Sequence, residues 1–411
     1  MTGGMTNSKR AKAVWARRSF LFGLPSSFVI RHSSFVIPPV LYFDHNATHP
    51  LSRIAREAWL DATERFVGNP SSPHRLGARA EAALEQARER LAGWLGCAAA
   101  EIVWTSGATE ANSAVLHHAG LAGAEEVWIS AIEHPCVLAS ARRYFPKAHR
   151  LIPVTRDGVV EVAWLADGLR RRRPGMVAVM AANNETGVLQ PWREVLALCQ
   201  EHGVPFFCDA AQWVGKLPAR GLGASDFVSG CGHKFGGPQG VGFLKCPEKF
   251  RPLLIGGSQE AGRRAGTENV AGVLAMVAAL EEREAMLARG AELATRLDRR
   301  EDFEAKLARD LDGIQIVGAT ADRLWNTVSV VLPELADCRQ RWVVKLDKLG
   351  FAVSTGSACA SGKEETSHVL AAMGFSAAEA SRVLRFSGGW ETREEDWEAL
   401  REGLVSAVGP R

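Results

Sequence analysis

The chain has 411 residues, 46% hydrophobic and 23% charged, with a formal net charge of +3. That is more than one hydrophobic core usually holds, so two domains are expected. Residues 1–43 carry six Lys/Arg and no acid, leaving −3 on the rest. This charge excludes a nucleic-acid-sized basic patch on the body, and no apolar run is long enough to span a bilayer.

Residues 1–38 differ in character from the remainder of the chain. Ser26-Ser-Phe-Val-Ile30 recurs as Ser33-Ser-Phe-Val-Ile37, and Arg17-Arg-Ser-Phe-Leu-Phe22 superficially resembles a twin-arginine export signal. Arg31 and His32 interrupt the apolar stretch, and no small-residue cleavage site comes after it. Residues 1–40 are therefore expected to be a disordered or non-native leader. An organellar transit peptide is the weaker reading. The eight cysteines, at 97, 136, 199, 208, 231, 246, 338 and 359, form no Cys-x-x-Cys pair. Neither a zinc site nor a disulfide framework is signalled, and a reducing cytoplasm is the expected location. Cys208, inside Val-Pro-Phe-Phe-Cys-Asp, reads as a small buried apolar residue.

The folded body is expected to start at Leu41-Tyr-Phe-Asp-His-Asn-Ala-Thr48. Asn69-Pro-Ser-Ser-Pro-His74 is a turn cluster. Residues 76–95 show helical spacing through Leu84, Ala87, Leu91 and Leu95. Strands are predicted at 101–105, 127–130, 176–181 and 204–208, with helices at 110–118 and 191–202. Short strands are predicted on either side of Gly230–Gly240. This alternation predicts an α/β fold with a mainly parallel sheet. Ser106, His134, Asn184 and Asp209 each fall just after a strand, the edge where open α/β sheets bind ligands. The proline-free stretch 269–311 predicts one or two long helices bridging to a second domain. After it, a strand at 326–332, a helix at 337–349, a strand at 351–354, helices at 366–373 and 376–384, a strand at 385–387 and a helix at 393–407 predict a smaller α+β domain. The expected organisation is residues 41–55 joining the small domain, 56–300 as the large domain and 301–411 as the small one.

Five stretches carry candidate chemistry. Lys234 sits among six glycines between Ser229 and Gly242, beside His233. A lysine pressed into such a turn is a candidate for a depressed pKa and a Schiff base. A solvated hairpin with a surface lysine is the plainer alternative on that stretch alone. Thr105-Ser-Gly-Ala-Thr-Glu110 is a strand–turn–helix that binds phosphate through its amides, or merely an N-cap at Thr109. Asp209 comes after an apolar strand and needs a cationic or hydrogen-bonding partner, or else caps the next helix. Cys359 lies in the Ser/Gly-rich loop Ser354–Gly362, as reactive thiols do, or is incidental there. Arg385, within an apolar strand, pairs with a carboxylate, a ligand's or the protein's own.

With these residues assembled, the chain resembles the cysteine desulfurases, within the class V aminotransferase group of pyridoxal-phosphate enzymes. The likeness runs from Tyr42 to Trp397. It rests on Tyr-Phe-Asp-His-Asn-Ala-Thr, Asn-Pro-Ser-Ser-Pro-His, Thr-Ser-Gly-Ala-Thr-Glu, Glu133-His134, Asn-Asn-Glu-Thr-Gly187, Asp-Ala-Ala-Gln212 and Gly-His-Lys-Phe-Gly-Gly-Pro-Gln-Gly240, in order. Arg264-Ala-Gly-Thr-Glu-Asn269, Gly-Ser-Ala-Cys359 and Arg385-Phe-Ser come next, also in family order.

The resemblance implies a fold-type I homodimer. It implies that Lys234 holds pyridoxal 5'-phosphate covalently and moves protons at the substrate's α-carbon. His134 stacks on the ring and assists proton transfer, Asp209 pairs with the ring nitrogen, and Gln212 bonds the ring hydroxyl with Asn184 nearby. Ala108, Thr109 and His233 hold the phosphate, and Thr267 reaches the neighbouring subunit's phosphate. Arg385 clamps the carboxylate of L-cysteine, with Asn184 beside it. Cys359 takes the sulfur as a persulfide, leaving alanine, for delivery to an iron–sulfur scaffold or thiolation carrier. Cys231 departs from the family's usual phosphate-binding serine, and a thiol is the weaker donor. Another class V reaction, transamination or selenocysteine cleavage, is the main alternative, and a silent carrier-binding subunit is a weaker one.

Overall fold

The structure is a computed structural model and describes residues 40–334, 339–355 and 367–408. Its centre is a seven-stranded sheet, in the order Ile102–Thr105, Gly242–Lys245, Phe227–Cys231, Phe206–Asp209, Met176–Ala178, Val127–Ser130, His149–Ile152. All neighbours pair in parallel except Gly242–Lys245, which is antiparallel to both of its neighbours. The strands read as near-continuous apolar runs because both faces are covered. Alternation divides them. Trp104, Trp128, Val177, Phe206, Val228 and Phe243 pack on one face. Val103, Ile129, Ala178, Phe207, Phe227 and Leu244 pack on the other. Helices Arg75–Leu95, Val162–Arg171, Trp192–Glu201 and Val270–Leu287 cover the first face, and Ala108–Leu121 and Pro135–Tyr144 the second.

Strands Gln315–Ile316, Thr327–Val331 and Val383–Ser387 form a small antiparallel sheet, and Leu41–Tyr42 pairs in parallel with Phe351–Ala352. Asp44 then bridges to Ser387, so the start of the body is stitched to both C-terminal strand pairs. These elements share one contact unit with the large sheet, Pro39–Arg411.

Most predicted elements occur within a few residues of their expected bounds. The expected helix 376–384 is shorter, Ala377–Ala380, because Val383-Leu-Arg-Phe-Ser387 is drawn whole into pairing with Thr327–Val331. Helices Arg53–Arg65, Pro135–Tyr144 and Val162–Arg171 were not predicted. The middle one is launched by His134 at its N-cap and Pro135 in its first turn, a proline position that reads as a turn from sequence alone.

The outer edge of strand Ile102–Thr105 is covered, as exposed edges must be managed. Glu260 accepts the Trp104 backbone N–H (2.9 Å) and a two-pronged pair from Arg88 (2.8 and 3.0 Å), while Arg88 also donates to Ile102 O (2.7 Å). Both side chains are buried, and Glu260 holds left-handed backbone (φ 51°) to reach them. Glu260→Ala strands the Arg88 guanidinium without its main partner. It is expected to lower the unfolding free energy by about 3–5 kcal/mol in urea titration; a loss below about 1 kcal/mol contradicts this account of the edge.

Candidate active site

A cavity of about 910 Å³ opens at the carboxyl edge of the parallel strands. It is walled by Thr109, His134, Asp209, Gln212, Lys234 and Arg385 among others. Six residues from five separate sequence stretches thus meet there, because each lies just past a strand or helix end of one sheet, or on the adjoining small-sheet strand Val383–Ser387.

Lys234 ends the single turn Gly232–Lys234 that comes after strand Phe227–Cys231. Its Nζ donates to the backbone carbonyls of Asn46 (2.7 Å) and Ala47 (2.8 Å). Burial first, and the Arg385 cation second, hold its ammonium below the ordinary lysine range, against the opposing pull of Cys231 and Asp209. The amine is thus more readily freed as a nucleophile than a surface lysine.

Asp209 is the last residue of its strand and is 4% exposed. It does not cap a helix: its carboxylate accepts from Ala211 N–H (2.9 Å) and from Asn112 Nδ2 (2.7 Å). Glu133 is buried nearby, and burial together with Asp209 pushes its carboxyl well above the usual range. His134 Nδ1 accepts the Cys136 N–H (3.3 Å) and lies 3.0 Å from Cys136 Sγ. Burial is the main cause holding this imidazole below its normal value, with Asp209 opposing; the burial also pushes the Cys136 thiol up to about 12.

The phosphate-binding expectation falls on the N-terminus of helix Ala108–Leu121. Its N-cap is Gly107, not Thr109, which is the second helical residue. Gly107 needs φ +152°, and its Cα lies against Gly242, where a Cβ would meet Gly107 Cα at 2.7 Å. Only glycines let the backbone pass this closely. Glu110 accepts the Ser106 N–H (2.8 Å) and pairs with Arg264 (2.9 Å). His233 is pushed down to about 4, by burial and then by Lys234, and so is neutral. Cys231 is buried, its thiol is pushed up to about 11 by burial, and the Ala108 N–H is directed at its sulfur.

Arg385, 1% exposed, pairs with the protein's own Asp44 (2.5 Å) and donates to Asn184 O (2.9 Å) while lining the cavity. Thr267 is exposed and is not part of the cavity wall of this chain. Cys359 lies outside the described residues.

Sequence reading missed Asp44, Asn46, Ala47, Asn112, Lys216 and His368. Only the Tyr42–Thr48 motif signalled the first three. His368 was hidden in a short helix start; its Nε2 lies 2.8 Å from Glu133 O, and its ring lines the cavity.

A mainly parallel sheet that presents a half-buried lysine and a buried aspartate at its carboxyl edge is the arrangement of a fold-type I pyridoxal-phosphate enzyme. Residues 41–400 match the aminotransferase class-V family, and the chain belongs to it. It is 38% identical over 377 residues to a protein of Enterobacter agglomerans named cysteine desulfurase, covering 90% of this chain and 92% of that one. Its fold is similar to a solved NifS-like protein (TM-score 0.81, 30% identity, 89% and 98% of the two chains). It is also similar to a structure described as SspA in complex with cysteine (TM-score 0.72, 28% identity, 84% and 98%).

The donor set fits pyridoxal phosphate. The Lys234 amine, lining the cavity, can bind its aldehyde. The Asp209 carboxylate, already held by two N–H donors, can face a protonated ring nitrogen, and the helix Ala108–Leu121 offers its first-turn amides to phosphate.

Wild-type protein loaded with pyridoxal phosphate and desalted is expected to be yellow. Borohydride reduction followed by peptide mass mapping is expected to tag Lys234, and Lys234→Ala to lose both colour and tag; a tag on another lysine overturns the assignment.

The cofactor-free protein is expected to be acid-sensitive. Burial and then His49 push the His45 imidazole down to about 3, against an unfolded value near 6.5. The unfolded chain therefore takes up a proton that the folded chain refuses, so stability present above pH 6.5 is lost as the pH falls toward 3. Melting temperature is expected to fall from pH 7 to 5, with a shallower slope in His45→Asn; parallel slopes contradict the account.

Proposed function

We propose that this chain is a cysteine desulfurase. It removes sulfur from L-cysteine, releases alanine and carries the sulfur as a persulfide on Cys359 to an acceptor protein of iron–sulfur assembly or thiolation. The observation that carries this reading is the half-buried Lys234 sharing one cavity with Asp209 and Arg385, in a chain 38% identical to a protein named cysteine desulfurase.

Bound pyridoxal phosphate supplies an electron sink for chemistry at the substrate's α-carbon. The rest is work for this chain's residues. Lys234 anchors the cofactor and, as a base of lowered pKa, moves the α-proton. Asp209 holds the ring nitrogen's proton. His134, neutral, stacks on the ring, and Gln212 bonds the ring oxygen, with Asn184 beside it. Ala108, Thr109, His233 and Cys231 hold the phosphate, with Thr267 contributed by a second copy in a homodimer. The exposed Ile255 and Leu254, a short way before Thr267, support such a contact. Arg385 binds the substrate carboxylate, pre-aligned by Asp44. The Cys359 thiolate then attacks the substrate sulfur: an S–S bond forms as the carbon–sulfur bond breaks. The electron pair stays with the carbon fragment, which takes a proton to become alanine.

We read residues 56–300 as the cofactor-binding domain and 41–55 with 301–411 as the smaller one, supported by the pairing of Leu41–Tyr42 with Phe351–Ala352. A cytoplasmic setting is supported by free cysteines at 97, 136, 199, 208, 231 and 246. No helix among the described residues is long and apolar enough to cross a membrane.

Purified, loaded protein given L-cysteine is expected to yield sulfide and alanine in equal amounts under reducing conditions. Cys359→Ser is expected to keep the cofactor and its spectral response to L-cysteine but to fall to background sulfide and carry no persulfide by mass spectrometry. Near-normal turnover in that variant removes Cys359 from the mechanism; pyruvate or keto-acid products in wild type overturn the desulfurase reading.

A further inference from the structure

Lys216 is a buried lysine that the desulfurase reaction does not use. It is 3% exposed and stands behind the cavity wall rather than in it. Its backbone is held in place by the Trp325 indole N–H, which donates to its carbonyl (2.9 Å). Its Nζ donates to Gln212 Oε1 (2.5 Å) and Asn46 Oδ1 (2.7 Å). Among the described residues these two acceptors are neutral amides, and the charges that bear on it include Lys234 and Arg385, both of its own sign. A buried lysine so placed is costly, and a methionine would fill the space without that cost. A packing role does not account for it.

The hydrogen bonds do. Gln212 Nε2 donates to the Asn46 backbone carbonyl (3.0 Å), the same oxygen that accepts from Lys234 (2.7 Å). With the amide turned over, Gln212 Oε1 would face that carbonyl at 3.0 Å, oxygen against oxygen, and its NH₂ would face the Lys216 donors. The amide is therefore oriented from both ends. Nε2 carries two hydrogens; among the described residues Asn46 takes one and no acceptor takes the other, and Gln212 lines the cavity.

We propose that Lys216 is a positioning residue, which occupies the Gln212 carbonyl oxygen from behind so that Gln212 presents an N–H to the ring oxygen of the cofactor. This rests on the reading of Gln212 as that oxygen's partner. A donor stabilises negative charge on the ring oxygen, whereas a carbonyl oxygen in its place would repel it. Lys216 thus acts on the cofactor through Gln212, without touching it.

The test is a double-mutant cycle on loaded, desalted protein: wild type, Lys216→Met, Gln212→Leu and the double variant. The readout is the pH midpoint of the cofactor's visible absorbance change. The titratable and charged groups of the cavity wall, Lys234, Asp209, His134, His233, His368, Cys136, Cys231, Glu110, Glu185, Arg142 and Arg385, are common to all four proteins. Losing the donor disfavours the deprotonated form, so each single variant is expected to raise the midpoint by roughly 0.5 to 1 pH unit. The double variant is expected to move no further than the larger single shift. If Lys216→Met does not fold, Lys216→Gln, whose amide stops short of Gln212, takes its place with the same expected shift. A wild type that loads no cofactor overturns the functional reading and this inference with it. A loaded wild type whose midpoint is unmoved by Lys216→Met, or single shifts that add in the double variant, overturns this inference alone.

Discussion

The backbone carbonyl of Asn46 is the constraint on which the site depends. It accepts the Lys234 amine and the Gln212 amide together, and the Asn46 side chain accepts from Lys216 and Asn326 while donating to Asn184 O and Thr327. One 1%-exposed asparagine therefore touches the lysine turn of the large sheet, the loop after strand Met176–Ala178 and the small sheet. Its segment has no freedom to retreat. Tyr42 pairs with Ala352 behind it, His45 N–H and the Asn46 N–H bond Ser387, and His49 N–H bonds His233 O. A buried polar network of this kind is stable only when every member is satisfied, which is why the start of the body and its C-terminal strands are folded as one piece around the cavity.

That arrangement sets the electrostatics. Lys234, Lys216 and Arg385 are brought near one another with Asp44 and Asp209 close by. Burial lowers both lysines, and it holds His134 and His233 neutral. The protein thereby brings a basic amine, a carboxylate and uncharged imidazoles into one enclosure. Such a low-dielectric setting strengthens each charge on a ligand that enters, and the helix dipole of Ala108–Leu121 adds to it on the side where an anion would sit.

The sequence by itself determined a good deal. Apolar runs buried on both faces give the parallel sheet. Polar residues placed just past strands mark its binding edge, and local chemistry singles out Lys234 among glycines, Asp209 and the turn before helix Ala108–Leu121. Strand Val383–Ser387 shows where that legibility stops. Its first residues read as helix locally, and pairing with Thr327–Val331 decided otherwise, since hydrogen bonding to a distant strand outweighs a local propensity worth fractions of a kcal/mol. The tertiary structure alone decided which carboxylate Arg385 meets, that the carbonyls of Asn46 and Ala47 hold Lys234, and that Lys216 stands behind Gln212. A backbone carbonyl carries no residue-type signature, and a lysine four residues past a glutamine reads as surface until the fold closes over it. The contacts that Asn46 and Asp44 make with Lys216, Lys234 and Arg385 join positions about 170 to 340 apart in the chain, a separation that no local pattern encodes.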